Sequence, residues 1–569
     1  MTRPRTSHAI SLHAVLGAAA LLGILVLGGT LAGTAHAATI TIVNADGAGE
    51  GFNDATAAAP VGGNPGTTIG AQRLFIFQRA AAIWGILLKS NIEIKVNARF
   101  DPLSCTATSG VLGSAGPTTV HANFAGAIFS GTWYHQALAN KLSGVDQDAA
   151  NNDINATFNS SVGNLGCLET TAWYYGIDGN EGALIELFPV VLHELGHGLG
   201  FSTTTNGQTG LYLSGLPHVW DHFLFDPSNG LHWNEMNGAQ RIASAISCGN
   251  LVWDDPLVTS RAATYLSSKP NVHVNAPVLA AGDYDVGLAG FGAPLNETGV
   301  TGDVVLANDG TGVLTNACEP LINVVAGKIV LLDRGGCTFT VKVKNAQNAG
   351  AIGVVVADSV PGCPPAGMSG TDATITIPSV RVTQTDGNFL KANIAGLNAT
   401  LILDPTKRAG THTSGRVRMY SPNPYASGSS VSHWDVSAEP NLLMEPAINN
   451  SLSSDTDLTM QLFGDIGWLG ASAAEETAGS QPIGFSLAQN RPNPGSVLTR
   501  VHFSIPTRER VQLRVFDVSG RLLLTPVDAI LDPGVHSVEI PTSGLAGGVY
   551  FYRLEAGEKK LSRRFTVMQ

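Results

Sequence analysis

A chain of 569 residues is long enough for several domains. Its charged fraction is only 13% and its net charge is −12, which argues against nucleic acid as a partner. Its 66 glycines suit a soluble exported chain rich in loops and turns.

Arg3 and Arg5 precede an apolar run over residues 14–33, and Ala35-His36-Ala37 offers a small-x-small cleavage site. Residues 1–37 are therefore expected to be an export signal. The run is about long enough to span a bilayer, but the cleavage site and the many small residues favour its removal. No later stretch is long and apolar enough to cross, so no stable membrane span is expected after removal. The expected location is secreted, extracellular or at the cell surface. Cys105, Cys167, Cys248, Cys318, Cys337 and Cys363 are even in number and contain no C-x-x-C pair. In an exported chain they read as disulfides.

Residues 38–277 form the first part of an expected α/β domain. A strand is expected over 39–43 and a glycine-rich loop to about residue 66. A helix follows over 70–88, with Leu74, Phe77, Ala81, Trp84 and Leu88 near helical spacing. Residues 91–96 alternate apolar and polar and predict a second strand. Asp178, Asn180 and Glu181 could face a calcium ion, but a solvated turn is the preferred reading.

The segment from Phe188 to Phe201 contains His193, Glu194 and His197 in the pattern H-E-x-x-H. On a helix, residues four apart share a face, so both imidazoles can reach one metal ion. Glu194 points about 100° away and is free to act on a metal-bound water. Pro189 suits a first turn and Gly200 a helix end. Gly196, Gly198 and Gly200 crowd the segment, each costing about 1 kcal/mol inside a helix. Close approach of backbone to a metal cleft is the reason expected for them.

A catalytic zinc ion commonly takes three protein ligands and a water. The extended pattern H-E-x-x-H-x-x-G-x-x-H places Thr203 at its last position, a poor ligand. His218, Asp221, His222, His232 and Glu235 lie nearby in sequence, and His433 lies far away. Val431-Ser-His-Trp-Asp435 and Asn441-Leu-Leu-Met444-Glu-Pro446 resemble the second half of the active site in leishmanolysin-like metzincins. The resemblance implies an insertion between the zinc helix and a third histidine. His433 would be that histidine, and Met444 would sit in a methionine-bearing turn beneath the metal. Residues 458–468 look like that family's closing helix. Glu235 is the second choice of ligand, as the carboxylate of a glutamate-type zinc protease.

The insertion is expected to be its own α/β domain over 278–408, with strands at 329–333 and 353–356 and a helix-like run at 340–349. Residues 327–350 and Ile377-Pro-Ser-Val380 resemble a protease-associated domain, a non-catalytic module that shapes substrate access or protein contacts. Cys318, Cys337 and Cys363 fall within it, so at least one local disulfide is expected. Residues 409–470 return to the first domain. Residues 471–482 read as a linker. From 483 to 569 the pattern is short alternating strands, a small all-β, immunoglobulin-like sandwich. Asn490-Arg-Pro-Asn-Pro494 and Leu545-Ala-Gly-Gly-Val-Tyr550 resemble the C-terminal sorting domains of some exported bacterial proteins, which implies contact with export or cell-surface machinery. Lys559, Lys560, Arg563 and Arg564 read as a solvated strand face.

The expected fold is thus multidomain α+β, a metzincin-like zinc protease domain interrupted by a protease-associated domain and followed by a sandwich. The expected function is zinc-dependent endopeptidase action on protein or peptide substrates. His193, His197 and His433 hold Zn2+ in this reading, and Glu194 is the general base. The competing reading is a surface binding or adhesion protein on an inactive protease scaffold.

Overall fold

The computed structural model describes residues 37–447, 455–469 and 486–567, the last stretch without positions 488–489, 491–497, 506, 532–533, 543 and 558. The expected export signal and linker lie outside the described residues, apart from Ala37.

The first domain is built on a sheet of strands β1 (Ile40–Asn44), β2 (Ile94–Asp101), β3 (Gly113–Pro117) and β4 (Ile154–Asn159), in the order β1-β2-β4-β3. The first three neighbours run parallel, and β3 pairs antiparallel to β4 at the edge. The long helix α1 (Ile69–Leu87) starts at Thr68, whose hydroxyl accepts the Ala71 N–H. Its buried stripe of Ile76, Phe77, Ala80 and Trp84 packs into the main core. The helix that carries the H-E-x-x-H motif, α2 (Leu187–Leu199), packs against both α1 and the edge strand β3. Trp84 Nε1 donates to Leu192 O at 3.0 Å and ties the two helices together.

β2 begins later than its alternation suggests. Ser90 Oγ accepts from Ile92 N and donates to Ile92 O, which closes a local turn there. The buried alternation is instead Ile94, Val96, Ala98 and Phe100.

The insertion also begins elsewhere, ten residues before the expected 278. Strand β5 (Ser268–Ala276) already belongs to its eight-stranded sheet and pairs with the strand that leads out of the insertion. The break falls at residue 267, because Leu266 packs in the first domain's core whereas Val272 and Val274 pack in the insertion's. The other strands are β6 (Gly282–Asp285), β7 (Gly287–Leu288), β8 (Val300–Leu306), β9 (Ile329–Asp333), β10 (Gly353–Ala357), β11 (Ser379–Val382) and β12 (Asn398–Arg408). The order is β6-β5-β12-β8-β9-β10-β11-β7, with β8 to β11 parallel. Helix α3 (Phe339–Asn348) crosses between the parallel strands β9 and β10, and α4 (Gln384–Ala392) leads from β11 to β12, which runs antiparallel to β8. β9 and β10 are buried apolar runs, as a sheet covered on both faces requires.

The chain then returns to the first domain and closes with α5 (Thr459–Asp465), whose Leu462 and Phe463 join its core. The C-terminal region has a three-stranded and a four-stranded sheet around a separate core that includes Val511, Leu513, Tyr552 and Phe565. All six cysteines are paired, as Cys105–Cys167, Cys248–Cys363 and Cys318–Cys337. The last pair is local to the insertion, and Cys248–Cys363 joins the insertion to the first domain.

Candidate metal centre

α2 is apolar and buried along nearly its whole length, with His193 and Glu194 buried and His197 partly buried. Pro189 is its third residue, where a missing N–H removes one of the orphan donors. Gly200 ends the helix at φ +130°, a conformation that favours glycine, and its N–H closes onto Gly196 O and His197 O. The glycines have a packing role that the sequence reading missed. A Cβ at Gly196 would lie 2.8 Å from Met444 Sδ, and one at Gly198 would lie 2.4 Å from Ile154 Cγ2. Both are too close for real contacts, so the helix is thinned to admit Met444 on one side and the sheet on the other.

His193 Nε2 and His433 Nε2 each lie 3.1 Å from His197 Nε2. Residues 236 apart in sequence thus meet at one point. The other ring nitrogen of each histidine faces a backbone carbonyl. His193 Nδ1–H donates to Leu443 O at 2.7 Å, His197 Nδ1–H to Phe201 O at 2.8 Å and His433 Nδ1–H to Ser429 O at 2.8 Å. A carbonyl can only accept, so each Nδ1 carries the proton. Burial pushes His193 down to about 4 and His433 to about 3, and it holds His197 well below the usual histidine range. Neutral rings with protonated Nδ1 leave three bare Nε2 lone pairs aimed at one another. That geometry is repulsive without a cation between them. It matches the neutral-imidazole donor set of a zinc site, with the carbonyl-fixed tautomers such sites use. Among the described residues this is the one cluster of three or more side chains able to hold a metal ion.

The turn at Leu442–Met444 touches every part of this cluster. Leu443 O fixes His193, Met444 O accepts from Trp434 N beside His433 at 2.8 Å, and Met444 Sδ packs on Gly196 between His193 and His197. The turn's own N–H groups are held by buried carboxylates. Leu442 N donates to Glu445 at 2.8 Å and Leu443 N to Asp457. Burial lifts Glu445 to about 9 and Asp457 to about 7, against the pull of these donors.

Glu194 lies beside the cluster and faces the edge strand β3. Burial pushes its carboxyl up to about 8, and the Ala115 N–H pulls it down. A Cβ at Gly113 would fall 2.8 Å from Glu194 Cγ, so the glycine there makes room for the carboxylate. Neither Gly113 nor Ala115 was singled out from the sequence. A glycine inside a strand is the one available signal, marking a close approach of other atoms. The carbonyls of Leu443, Phe201 and Ser429 carry no side-chain signature at all.

The remaining candidates go elsewhere. Glu235 is a correction: it accepts from His232 N at 2.8 Å, is half-exposed and has no place in the cluster. Its short reach to its own turn keeps it at the surface. His232 lies between Glu235 and Asp254. His222 stacks on Phe129 at 4.0 Å and meets Thr132 Oγ1 at 3.1 Å. His218 Nδ1 accepts from Trp220 N at 3.3 Å. Asp221 is buried and accepts from Thr203 Oγ1 at 2.7 Å, from Thr205 Oγ1 and from His218 N. Thr203 is thereby a structural residue. Asp178 accepts from Tyr174 OH at 2.6 Å and from Asn180 Nδ2 at 2.9 Å, which closes a local turn.

Comparison with known proteins adds two matched regions. Residues 300–390 match the PA domain family, inside the insertion. Residues 491–568 match the secretion system C-terminal sorting domain. The insertion contains a PA domain. The sorting domain makes this a secreted or cell-surface chain, and among the described residues no helix is long and apolar enough to cross a membrane. Vacuolar-sorting receptor 2 of Arabidopsis thaliana is 32% identical over 180 residues, 29% of this chain and 29% of that protein. Leucine aminopeptidase 2 of Arthroderma otae is 30% identical over 146 residues, 26% of this chain and 28% of that protein. The chain therefore spans less than a third of these relatives. Among solved structures, an aminopeptidase from Aneurinibacillus sp. strain AM-1 is 20% identical, covering 26% of this chain and 37% of that one with a TM-score of 0.20. A zinc aminopeptidase from Bacillus subtilis is 25% identical, covering 26% and 35% with a TM-score of 0.19. Overlap at that level carries no argument about the first domain.

Proposed function

We propose that the chain is a secreted zinc-dependent endopeptidase of the leishmanolysin-like metzincin type. The observation that carries this reading is the convergence of three proton-free imidazole nitrogens beside a buried glutamate. His193, His197 and His433 hold the metal in it, and Met444 packs beneath. A bound zinc ion supplies a water acidified to a pKa of about 7 and polarises the scissile carbonyl. Glu194 takes the proton of the attacking water at a carboxylate oxygen and delivers it to the departing amine nitrogen. The exposed edge of β3 runs past Glu194 and can pair with an extended substrate backbone. That pairing holds peptide on both sides of the scissile bond, which favours an endopeptidase. The PA domain and the sorting domain suit an exported protease.

The test is casein cleavage by wild-type protein and Glu194→Ala, with zinc content measured alongside. Wild type is expected to cleave, to stop on chelation and to recover with added zinc. Glu194→Ala is expected to keep its zinc and lose about 10²- to 10⁴-fold in kcat. Unchanged cleavage by a zinc-loaded Glu194→Ala removes the glutamate from the mechanism. A wild type that binds zinc but cleaves no protein favours the adhesion reading.

A further inference from the structure

The Asp457 carboxylate lies two hydrogen bonds from the metal centre. One of its oxygens accepts the Leu443 N–H, and Leu443 O accepts the His193 Nδ1–H at 2.7 Å. Its other oxygen accepts both Thr459 N at 3.1 Å and Thr459 Oγ1 at 3.0 Å, at the entry to α5. Asp457 and Thr459 are both buried. The Leu443 backbone is thus held by a carboxylate at its N–H and an imidazole at its carbonyl, and α5 aims the carboxylate.

We propose that Asp457 is a positioning residue for the metal centre, acting on His193 through the Leu443 backbone. The Leu443 N–H and C=O belong to adjacent peptide units joined at one Cα, so the carboxylate acts by fixing the Leu443 backbone and with it the direction of the Leu443 carbonyl. A carbonyl held in place at Nδ1–H fixes the ring plane and the aim of the Nε2 lone pair. Glu445 does the equivalent for the Leu442 N–H, one residue earlier, but the Leu442 carbonyl holds none of the three imidazoles. The turn therefore has one carboxylate coupled to a ligand and one that serves the turn alone. This inference rests on the metal-centre reading above.

Asp457→Asn distinguishes coupling from plain packing. Both Asp457 oxygens accept, and an amide has one oxygen, so its NH2 must face either the Leu443 N–H or the Thr459 donors. The readouts are the zinc dissociation constant by chelator competition and the visible absorption spectrum of the cobalt-substituted protein. The expected result is about 10- to 100-fold weaker zinc binding. A shifted cobalt spectrum and a lowered kcat at nearly constant KM should accompany it. Glu445→Gln is the matched variant and should keep wild-type zinc affinity and spectrum. If Asp457→Asn shows no cooperative melt, Thr459→Val decides. It keeps the carboxylate but removes one of the two donors that aim it, and a several-fold loss of zinc affinity is expected. A folded Asp457→Asn, or failing that Thr459→Val, with wild-type affinity and cobalt spectrum overturns the proposal. An equal loss in Glu445→Gln does so too, since the effect then belongs to the turn as a whole. A wild type that takes up no zinc sinks the metal-centre reading itself, and this inference with it.

Discussion

At the residue scale, the glycines of α2 show how a small side chain can be selected by its neighbours rather than by the metal. Gly198 faces Ile154 of β4, where a Cβ would sit at 2.4 Å. Gly198→Ala is expected to destabilise by about 1–3 kcal/mol through overpacking. Gly116, in β3, has open space around an added Cβ and is the control. Gly116→Ala should change stability by less than about 0.5 kcal/mol. Denaturant titration of both variants checks this, and equal stabilities would contradict the packing account. These steric demands are invisible in the sequence, because Met444 and Ile154 reach α2 from distant parts of the chain. His193 and His197 are legible locally, since both ligands lie on one helical turn. His433 is legible only through the resemblance of its flanking residues to a known family, because no periodicity links positions so far apart. Glu235 looked as good a ligand on proximity, which the folded chain shows to be a poor guide to meeting.

At the element scale, α5 carries a partly buried acid with no cation acting on it among the described residues. Asp465 accepts from Trp253 Nε1 at 2.8 Å, and the Asp255 carboxylate also acts on it. Burial, with Asp255 adding to it, pushes Asp465 from its ordinary 3.8 up to about 9. The folded value lies above the unfolded one, so the folded chain prefers the neutral acid. That contribution is complete below the unfolded value and is lost as pH rises through the folded one. Stability should therefore fall from about pH 4 towards about pH 9. Asp465→Asn keeps an uncharged group of the same shape. It should melt close to wild type under acid conditions and several degrees higher in alkali, roughly 2–4 °C for each kcal/mol recovered. Calorimetry at both ends of the range checks it, and a pH-independent difference would contradict it. The same scale separates what the pattern reveals from what it hides. α1 follows from apolar periodicity, and the buried strands β9 and β10 from their unbroken apolar runs. β2 starts late because a serine turn, not hydrophobicity, sets its beginning. The insertion starts early because β5 reads like any other strand until its partner β12 is known.

At the scale of the whole molecule, the insertion braces the third ligand. The strip 417–421 pairs with the His433 segment: Tyr420 N donates to His433 O at 2.9 Å and Asp435 N to Arg418 O at 3.1 Å. The insertion grips that strip. Asp285 on β6 takes Arg418 at 2.6 Å and Lys269 at 2.7 Å. Cys363 N donates to Asn423 O at 3.2 Å, and Cys363 is bonded to Cys248. Replacing both Cys248 and Cys363 by serine opens a loop of 115 residues and should cost about 2–4 kcal/mol. It should also weaken zinc retention more than the loss of Cys105–Cys167 does, since that pair lies within the first domain. Thermal melts and zinc content of the two double variants measure this. Equal zinc retention would make the insertion a passive spacer.

The most direct measurement of the central claim is zinc content per chain, by elemental analysis, in wild type, His433→Ala and Glu235→Ala. About one zinc per chain is expected in wild type and in Glu235→Ala, with most of it lost from His433→Ala. Zinc retained in His433→Ala and lost from Glu235→Ala would contradict a centre made by His193, His197 and His433.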